Sequence, residues 1–158
     1  MSLRFNHFNR VAALACATLF FFLLPSMSIA QDAPLPEDVL EASPLPLCPE
    51  GSMNCVFDAR HYDLEPSAVL QAIEETLNEM EPLRQRIYEE EKRAMAVFKV
   101  WFFRDDVQVQ VIDWEDGTML YIRSASRIGK SDLGVNGRRI EHFFEGLEAI
   151  LSGLEVGG

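Results

Sequence analysis

The centre of the chain reads Val107-Gln108-Val109-Gln110-Val111-Ile112-Asp113-Trp114-Glu115-Asp116-Gly117-Thr118-Met119-Leu120-Tyr121-Ile122-Arg123-Ser124. In its first half, valines alternate with glutamines, which is the period-two pattern of a β-strand with one buried face. Glu115-Asp116-Gly117 has the composition of a hairpin turn. The second half returns with Leu120 and Ile122 on one face. This stretch therefore predicts two antiparallel strands, around which the rest of the chain is arranged.

Two further strands are predicted upstream of this hairpin. Residues 94–103 are rich in aromatic and β-branched side chains, which favour a long strand. A shorter strand is predicted over residues 84–89, with Ile87 and Tyr88 as its apolar content. Arg104-Asp105-Asp106 is interpreted as the tight connection to the central hairpin. The sequence thus predicts four strands in succession.

One predicted helix lies on each side of these strands. Val69, Ile73 and Leu77 recur at helical spacing after Pro66, and Pro82 ends that helix. Asn136 is the predicted N-cap of the last helix. Its apolar stripe is Ile140, Phe143, Phe144, Leu147, Ile150 and Leu151.

This order, α-β-β-β-β-α, predicts an α+β fold, a two-layer sandwich with a four-stranded antiparallel sheet and two helices on one face. The predicted domain covers residues 58–154, and residues 155–158 form a tail. The other face of the sheet is expected to be exposed to water, because it would carry Lys99, Gln108, Gln110 and Arg123.

The first residues have the three parts of a secretory signal peptide. Arg4 and Arg10 precede an apolar run over residues 11–24, and Ser28-Ile29-Ala30 places small residues at a cleavage site. Residues 1–30 are therefore predicted to be a signal peptide, and the mature chain to be periplasmic or otherwise extracytoplasmic. An uncleaved anchor is the alternative, although the apolar run is short for a bilayer span.

Residues 31–57 are predicted to be a proline-rich acidic tether. Five prolines lie between residues 31 and 49, and proline disfavours packed regular structure. Cys48 and Cys55 remain after removal of the signal peptide, and an even cysteine count in an oxidising compartment predicts a disulfide. A metal site is disfavoured because only His61 lies nearby as a further ligand.

The charge of the chain restricts its partners. Removing residues 1–30 takes away two arginines and no acid, which leaves 12 basic and 25 acidic side chains and a net charge of −13. Such a chain repels phosphate backbones, so nucleic acid is excluded as a partner. The same sign disfavours anionic membranes, and membrane contact is expected only through an uncleaved signal segment. Neither a cofactor nor a metal is predicted.

Two runs near the C-terminus carry a family resemblance. Arg123-Ser124-Ala125-Ser126-Arg127 and Ser131-Asp132-Leu133-Gly134-Val135-Asn136, with Cys48-Pro49, Asn54-Cys55-Val56 and His61-Tyr62 upstream, resemble the signature of the DUF1499 family of domains of unknown function. The resemblance covers residues 45–151. Gly137 departs from it, because the family usually has a basic residue there. The family is mainly bacterial, with plant members that resemble thylakoid-lumen proteins, so the resemblance implies an extracytoplasmic location. It implies no catalytic residue and no cofactor.

The candidate site is a cluster of basic, acidic and hydroxyl side chains around the start of the last helix. Arg138 and Arg139 fall in the first turn of that helix, where cations oppose the helix dipole and need a negative partner. That partner is either one of the nearby aspartates or a bound anion, such as a carboxylate or phosphate. The predicted cluster consists of Arg104, Asp105, Asp106, Arg123, Ser124, Ser126, Arg127, Ser131, Asp132, Asn136, Arg138 and Arg139.

The sequence favours a non-enzymatic envelope protein that binds a protein partner or acts in assembly. A hydrolase is disfavoured, because His61 and His142 are the only histidines of the mature chain and the Gly-x-Ser-x-Gly motif is missing. The alternative is an enzyme or receptor that acts on a small anionic ligand at the Arg/Asp/Ser cluster.

Overall fold

The structure is a computed structural model that describes residues 34–156, with side chains described as far as Gly153. The predicted signal peptide, residues 1–30, lies outside the described residues. The described part contains three helices and five strands in the order α1-β1-α2-β2-β3-β4-β5-α3. Their bounds are α1 Glu37–Glu41, β1 Cys55–Tyr62, α2 Pro66–Glu79, β2 Arg84–Tyr88, β3 Arg93–Val100, β4 Phe103–Trp114, β5 Gly117–Ser126 and α3 Val135–Val156.

All five strands form one antiparallel sheet in the order β1-β5-β4-β3-β2. The predicted α+β class and the central hairpin are confirmed, since β4 and β5 are joined by a turn at Glu115 and Asp116. The predicted number of four strands is wrong. β1 is a fifth strand at the edge of the sheet, paired with β5 from Cys55↔Ala125 to Tyr62↔Thr118.

β1 is not evident from the sequence because the face that it turns toward the helices is largely polar. Asp58, Arg60 and Tyr62 alternate on the side that faces the helices. Arg60 nevertheless packs there: its guanidinium lies 3.6 Å from the centroid of the Phe144 ring, and it donates a hydrogen bond to Glu148. An edge strand tolerates such polar residues, since they also discourage pairing with other chains.

The main core lies between the sheet and the two long helices. Val69, Ile73 and Leu77 of α2, together with Phe143 and Leu147 of α3, are almost completely buried against the sheet. The strands contribute small and β-branched residues to this face, including Ala94, Ala96, Val107, Val109, Val111 and Ile122. The amphipathic pattern of both helices and the alternation in β4 thus predicted this core correctly.

The opposite face of the sheet is partly covered, which corrects the prediction that all helices share one face. The short helix α1 lies there, and Val39 and Leu45 pack against Met119 and Tyr121. Tyr121 is 0% exposed on this face, which was expected to be open to water. Residues 34–54 are therefore not an extended tether, because this segment contains a helix and contributes to a second small core.

The β3–β4 turn lies earlier than predicted. β3 ends at Val100, Trp101 and Phe102 form the turn, and β4 begins at Phe103. The aromatic run contains no glycine, proline or asparagine to mark a turn. Asp105 and Asp106 are consequently strand residues, and their side chains point to opposite faces of the sheet.

At the C-terminus, α3 extends to Val156, two residues into the predicted tail. None of the helices within residues 34–156 is long and apolar enough to cross a membrane.

The predicted disulfide is present. Cys48 and Cys55 are bonded with their Cα atoms 5.6 Å apart, which attaches the segment before β1 to the start of that strand. Replacing both cysteines by serine is expected to lower the free energy of unfolding by about 2–3 kcal/mol, because the unfolded chain regains the freedom of a closed loop. Urea unfolding with and without a thiol reductant measures this. The reductant should destabilise the native chain and leave the double-serine variant unchanged, and an equal response of both chains would contradict the prediction.

Candidate functional site

A buried ion pair lies beneath the start of α3. Nη2 of Arg139 donates to Oδ2 of Asp105 over 2.7 Å, and the two side chains are only 8% and 2% exposed. Asp105 comes from β4 and Arg139 from α3, so the pair joins the last helix to the centre of the sheet. The guanidinium also lies 4.9 Å from the ring centroid of Phe98 on β3. Because both side chains are shielded from water, removing either one would leave the other as an unpaired buried charge, which is strongly destabilising.

Asn136 connects this ion pair to the neighbouring strands. Its Oδ1 accepts hydrogen bonds from Nη1 of Arg139 at 2.7 Å and from Oγ of Ser124 at 2.6 Å. Its Nδ2 donates to Oγ of Ser126 and to the backbone carbonyl of Asn54, each at 3.1 Å. The side-chain amide therefore uses both donor positions and both acceptor positions. We call Asp105, Ser124, Ser126, Asn136 and Arg139 the buried polar network.

Asn54, which the sequence did not single out, supports the network from the segment before β1. Its carbonyl also accepts the backbone N–H of Ser126 at 2.9 Å, and its Nδ2 donates to the carbonyl of Gly129 at 2.6 Å. Its own Oδ1 accepts from Ser52. The only sequence signal for Asn54 is its place in the Asn54-Cys55-Val56 run, because nothing local indicates contact with a helix 82 residues away.

The start of α3 is capped by Asp132 rather than by Asn136. Oδ2 of Asp132 accepts the backbone N–H of Asn136 at 2.7 Å, and Oδ1 accepts that of Gly134 at 2.9 Å. Leu133 and Gly134, with φ of 55° and 75°, turn the chain between the aspartate and the helix. The predicted N-cap is therefore wrong. Asn136 lies inside the helix because its side chain is used for tertiary hydrogen bonds.

The cap makes stability depend on the ionisation of Asp132. Partial burial would raise the pKa of this carboxyl, but the backbone N–H groups of Asn136 and Gly134 outweigh it and hold the pKa below its ordinary value. A depressed folded pKa stabilises the protein above the unfolded pKa of about 3.9, and this contribution is lost as the pH falls through the folded pKa.

Asp132→Ala is accordingly expected to lower the free energy of unfolding by about 1 kcal/mol at neutral pH. The difference in free energy of unfolding between this variant and the native chain, here called the gap, should narrow as the pH is lowered below the unfolded pKa. The native carboxylate is then protonated and no longer stabilises the helix start. Denaturant unfolding at several pH values measures the gap. Glu90→Ala, an exposed residue in the β2–β3 turn, is the control and should change stability by less than about 0.5 kcal/mol at any pH. A gap for Asp132→Ala that widens in acid would contradict the assignment of Asp132 as an ionised cap.

The remaining members of the predicted cluster do not join the network. Arg127 forms a two-point ion pair with Asp106 on the other face of the sheet, with Nε–Oδ2 and Nη2–Oδ1 distances of 2.8 and 2.7 Å. These hydrogen bonds raise the pKa of Arg127 above its ordinary value. Arg123 extends from that same face, because it pairs in register with Gln108.

Two more predicted residues lie at the edge of the network. Nη1 of Arg138 donates to the carbonyl of Leu133 at 3.2 Å, and Oγ of Ser131 accepts the N–H of Leu133. Arg104 is exposed on β4 beside the turn, on the same face of the sheet as Asp106. The structure thus brings together five of the twelve predicted residues in the buried polar network. It separates four others from them by the thickness of the sheet, namely Arg104, Asp106, Arg123 and Arg127.

A second feature adjoins the network and was not predicted as a site. A cleft of about 250 Å³ opens between the β3–β4 turn and the loop before α3. Asp105, Asp132 and Arg138 contribute polar groups to its wall. Most of its lining is apolar and comes from Val100, Trp101, Phe103, Ile128, Leu133 and Val135.

Large apolar side chains are concentrated around this cleft. Eight such side chains are exposed among residues 34–153, and six of them lie at this end of the sheet: Met53, Trp101, Phe102, Phe103, Ile128 and Leu133. We call these six residues the apolar end. The register brings them together, since β1 starts, β3 ends, β4 starts and β5 ends here. A sequence signal existed in Trp101-Phe102-Phe103, but it was interpreted as the interior of a strand.

The sequence profile of one family, described as "Protein of unknown function (DUF1499)", matches residues 28–147. This match spans most of the chain and includes every residue of the buried polar network. The chain belongs to the DUF1499 family. The resemblance noted from the Arg-Ser-Ala-Ser-Arg run is therefore confirmed, and in this DUF1499 protein that run forms the end of β5 and the residue after it.

Solved structures with a similar course of the chain share little sequence with this DUF1499 protein. TTHA0849 from Thermus thermophilus is 14% identical with a TM-score of 0.47, and the alignment covers 63% of this chain and 98% of that one. Ara h 8.0201 is 8% identical with a TM-score of 0.45, over 62% and 97% of the two chains. CalU16 from Micromonospora echinospora is 16% identical with a TM-score of 0.41, over 65% and 78%. Comparison with curated protein sequences gives no significant match.

Proposed function

We propose that this DUF1499 protein is an exported, non-enzymatic binding module that contacts its partner through the apolar end. The observation that carries this proposal is the concentration of six exposed large apolar side chains at one end of the sheet. Soluble domains rarely leave such side chains adjacent in water, and a contiguous apolar surface usually marks an interaction site.

The buried polar network supports a structural role for the predicted cluster. Arg139 directs its guanidinium to Asp105, Ser124 and Asn136, so three of its hydrogen bonds are made within the protein. Arg127 is likewise paired with Asp106. An anionic substrate would have to displace an aspartate from a buried arginine, which leaves that carboxylate without a partner at a large free-energy cost.

Export is supported by the composition of residues 1–30 and by the disulfide. A basic start, an apolar run and small residues before Gln31 are the parts of a secretory signal peptide. The Cys48–Cys55 bond agrees with an oxidising compartment. An extracytoplasmic binding or assembly role is consistent with both features.

Photo-crosslinking in living cells tests the proposal. A photoreactive phenylalanine analogue at Phe102 is expected to give specific adducts, whether with protein or with lipid. The same analogue at Glu90, an exposed residue at the opposite end of the sheet, is expected to give none. Equal labelling at both positions, or no adduct at Phe102, would contradict a binding role for the apolar end.

An anion titration tests the competing function, a receptor or enzyme for a small anion. Phosphate, sulfate and short carboxylates are expected to leave the melting temperature unchanged beyond the effect of ionic strength. Stabilisation by one anion that disappears in Arg138→Ala, the exposed arginine of the cleft, would instead support a ligand site.

A further inference from the structure

We propose that the apolar end docks on the surface of an anionic lipid bilayer. This inference rests on the proposed function, because it names the partner of the same surface. It differs from the expectation based on net charge, which treated the charge of the chain as evenly distributed.

The β3–β4 turn presents aromatic side chains outward. Trp101 is 78% exposed and Phe102 is 97% exposed, and Phe103 follows at the start of β4. Trp101 has a φ of 54°, a conformation that is unfavourable for a bulky residue. Side chains of this kind at a hairpin apex are suited to the boundary between headgroups and acyl chains, where tryptophan is enriched.

Basic side chains flank the aromatic turn. Lys99 and Arg104 are directly opposite each other in the β3–β4 register, and both are exposed. Like charges in this arrangement repel, so an external anion would stabilise the turn. Lys130 and Arg138 are exposed on the neighbouring loop and at the start of α3.

Of the aspartates at this end, two are paired with internal arginines, whereas Asp132 keeps its negative charge. Asp105 is paired with Arg139, Asp106 is paired with Arg127, and the oxygens of Asp132 accept backbone N–H groups. Four exposed basic side chains therefore outnumber the unpaired aspartate near the apolar end, although the whole chain has a formal charge of −11.

The opposite end of the sheet is acidic. The β2–β3 turn contains Glu89, Glu90 and Glu91, and the β4–β5 turn contains Glu115 and Asp116. Charge is thus separated along the length of the strands. An anionic surface attracts the apolar end, repels the acidic end and orients the domain with the β3–β4 turn toward the lipid.

A lipid surface fits these features better than a protein or a small molecule does. The cleft of about 250 Å³ is smaller than the roughly 300–1,000 Å³ of pockets that enclose drug-sized ligands. Lysine is depleted at the core of protein interfaces, whereas aromatic residues beside lysine and arginine are typical of segments that lie in the membrane interface.

Tryptophan fluorescence tests the proposal, because the chain has only Trp101 and Trp114. The exported chain carrying Trp114→Phe reports on Trp101 alone, and Trp101→Phe reports on Trp114, which packs near α1. Each is mixed with vesicles of phosphatidylcholine, or of phosphatidylcholine and phosphatidylglycerol in equal parts, with brominated acyl chains. Trp101 is expected to shift to the blue and be quenched by the anionic vesicles only. Trp114 is expected to remain unchanged.

Co-sedimentation of the chain with both tryptophans gives a second measurement that does not depend on replacing them. Phe102→Ser is expected to weaken partitioning into anionic vesicles by about tenfold or more. Lys99→Gln with Arg104→Gln is expected to weaken it by roughly thirtyfold at low salt.

Three outcomes overturn the inference. They are an unchanged Trp101 with all vesicles, equal quenching of both tryptophans, and partitioning that is indifferent to these substitutions. If crosslinking at Phe102 then captures a specific protein, the binding function stands and its lipid partner is excluded. If neither lipid nor protein is captured, the proposed function fails as well.

Discussion

Replacing Arg139 by methionine is expected to lower the free energy of unfolding by about 3–5 kcal/mol. Methionine retains most of the volume, but it removes the guanidinium that balances Asp105 and lies over the Phe98 ring. The carboxylate would then be left almost completely buried without a charged partner. The side-chain oxygens of Ser124 and Asn136 would also lose the hydrogen bonds that they accept from Arg139. Urea unfolding followed by near-ultraviolet circular dichroism measures the loss.

Arg127→Met is the matched control for this prediction. It removes the same side chain from an ion pair with the same N–O distance of 2.7 Å, but Arg127 and Asp106 are 47% and 35% exposed. Exposed pairs contribute little, so the expected loss is below about 1 kcal/mol. If both variants lost the same small amount, the buried polar network would not hold α3 to the sheet.

Phe144→Ala is expected to lower the free energy of unfolding by about 3–5 kcal/mol. Phe144 is 1% exposed, its ring meets that of Phe143 edge-on at 5.5 Å, and Arg60 lies over its face. Truncation leaves a cavity in the main core and removes the surface on which the guanidinium of β1 rests. The midpoint of urea unfolding should fall accordingly.

Phe102→Ala makes the same chemical change at the most exposed large apolar residue of the described chain. Stability is expected to change by less than about 0.5 kcal/mol, because the phenylalanine contributes little buried area. This contrast separates a core phenylalanine from one that serves a partner. A loss comparable to that of Phe144→Ala would mean that the aromatic turn belongs to the core, and the proposed interaction surface would be wrong.

Periodicity predicted those parts of the fold where burial alternates regularly. The valines of β4 and the apolar stripes of α2 and α3 each face one core, so their spacing reports the structure directly. β1 was missed because Asp58 and Arg60 lie on its helix side, where ion pairs and ring contacts replace apolar packing. α1 was missed because five residues between prolines carry too little helical periodicity.

Local sequence could not divide the candidate cluster between the two faces of the sheet. Asp105 and Asp106 are neighbours in the chain, but the position of the β3–β4 turn decides which of them faces α3. The turn lies at Trp101-Phe102 instead of the predicted Arg104-Asp105-Asp106. The two aspartates are therefore strand residues, and each forms a separate ion pair. For the same reason, Trp101 and Phe102 form an exposed turn rather than part of the predicted strand. The partnership of Arg139 with an acid was predictable from its place in the helix, whereas the identity of that acid depended on long-range pairing.

A double-mutant cycle on Asp105→Ala and Arg139→Ala tests most directly whether this cluster is structural. The free energies of unfolding of the native chain, the two single variants and the double variant give the coupling between the side chains. A buried ion pair that fastens α3 to β4 predicts a coupling of about 2 kcal/mol or more, with the double variant less damaged than the sum of the singles. Additive losses within about 0.5 kcal/mol would show that the two side chains act independently, and the structural role of the network would be contradicted.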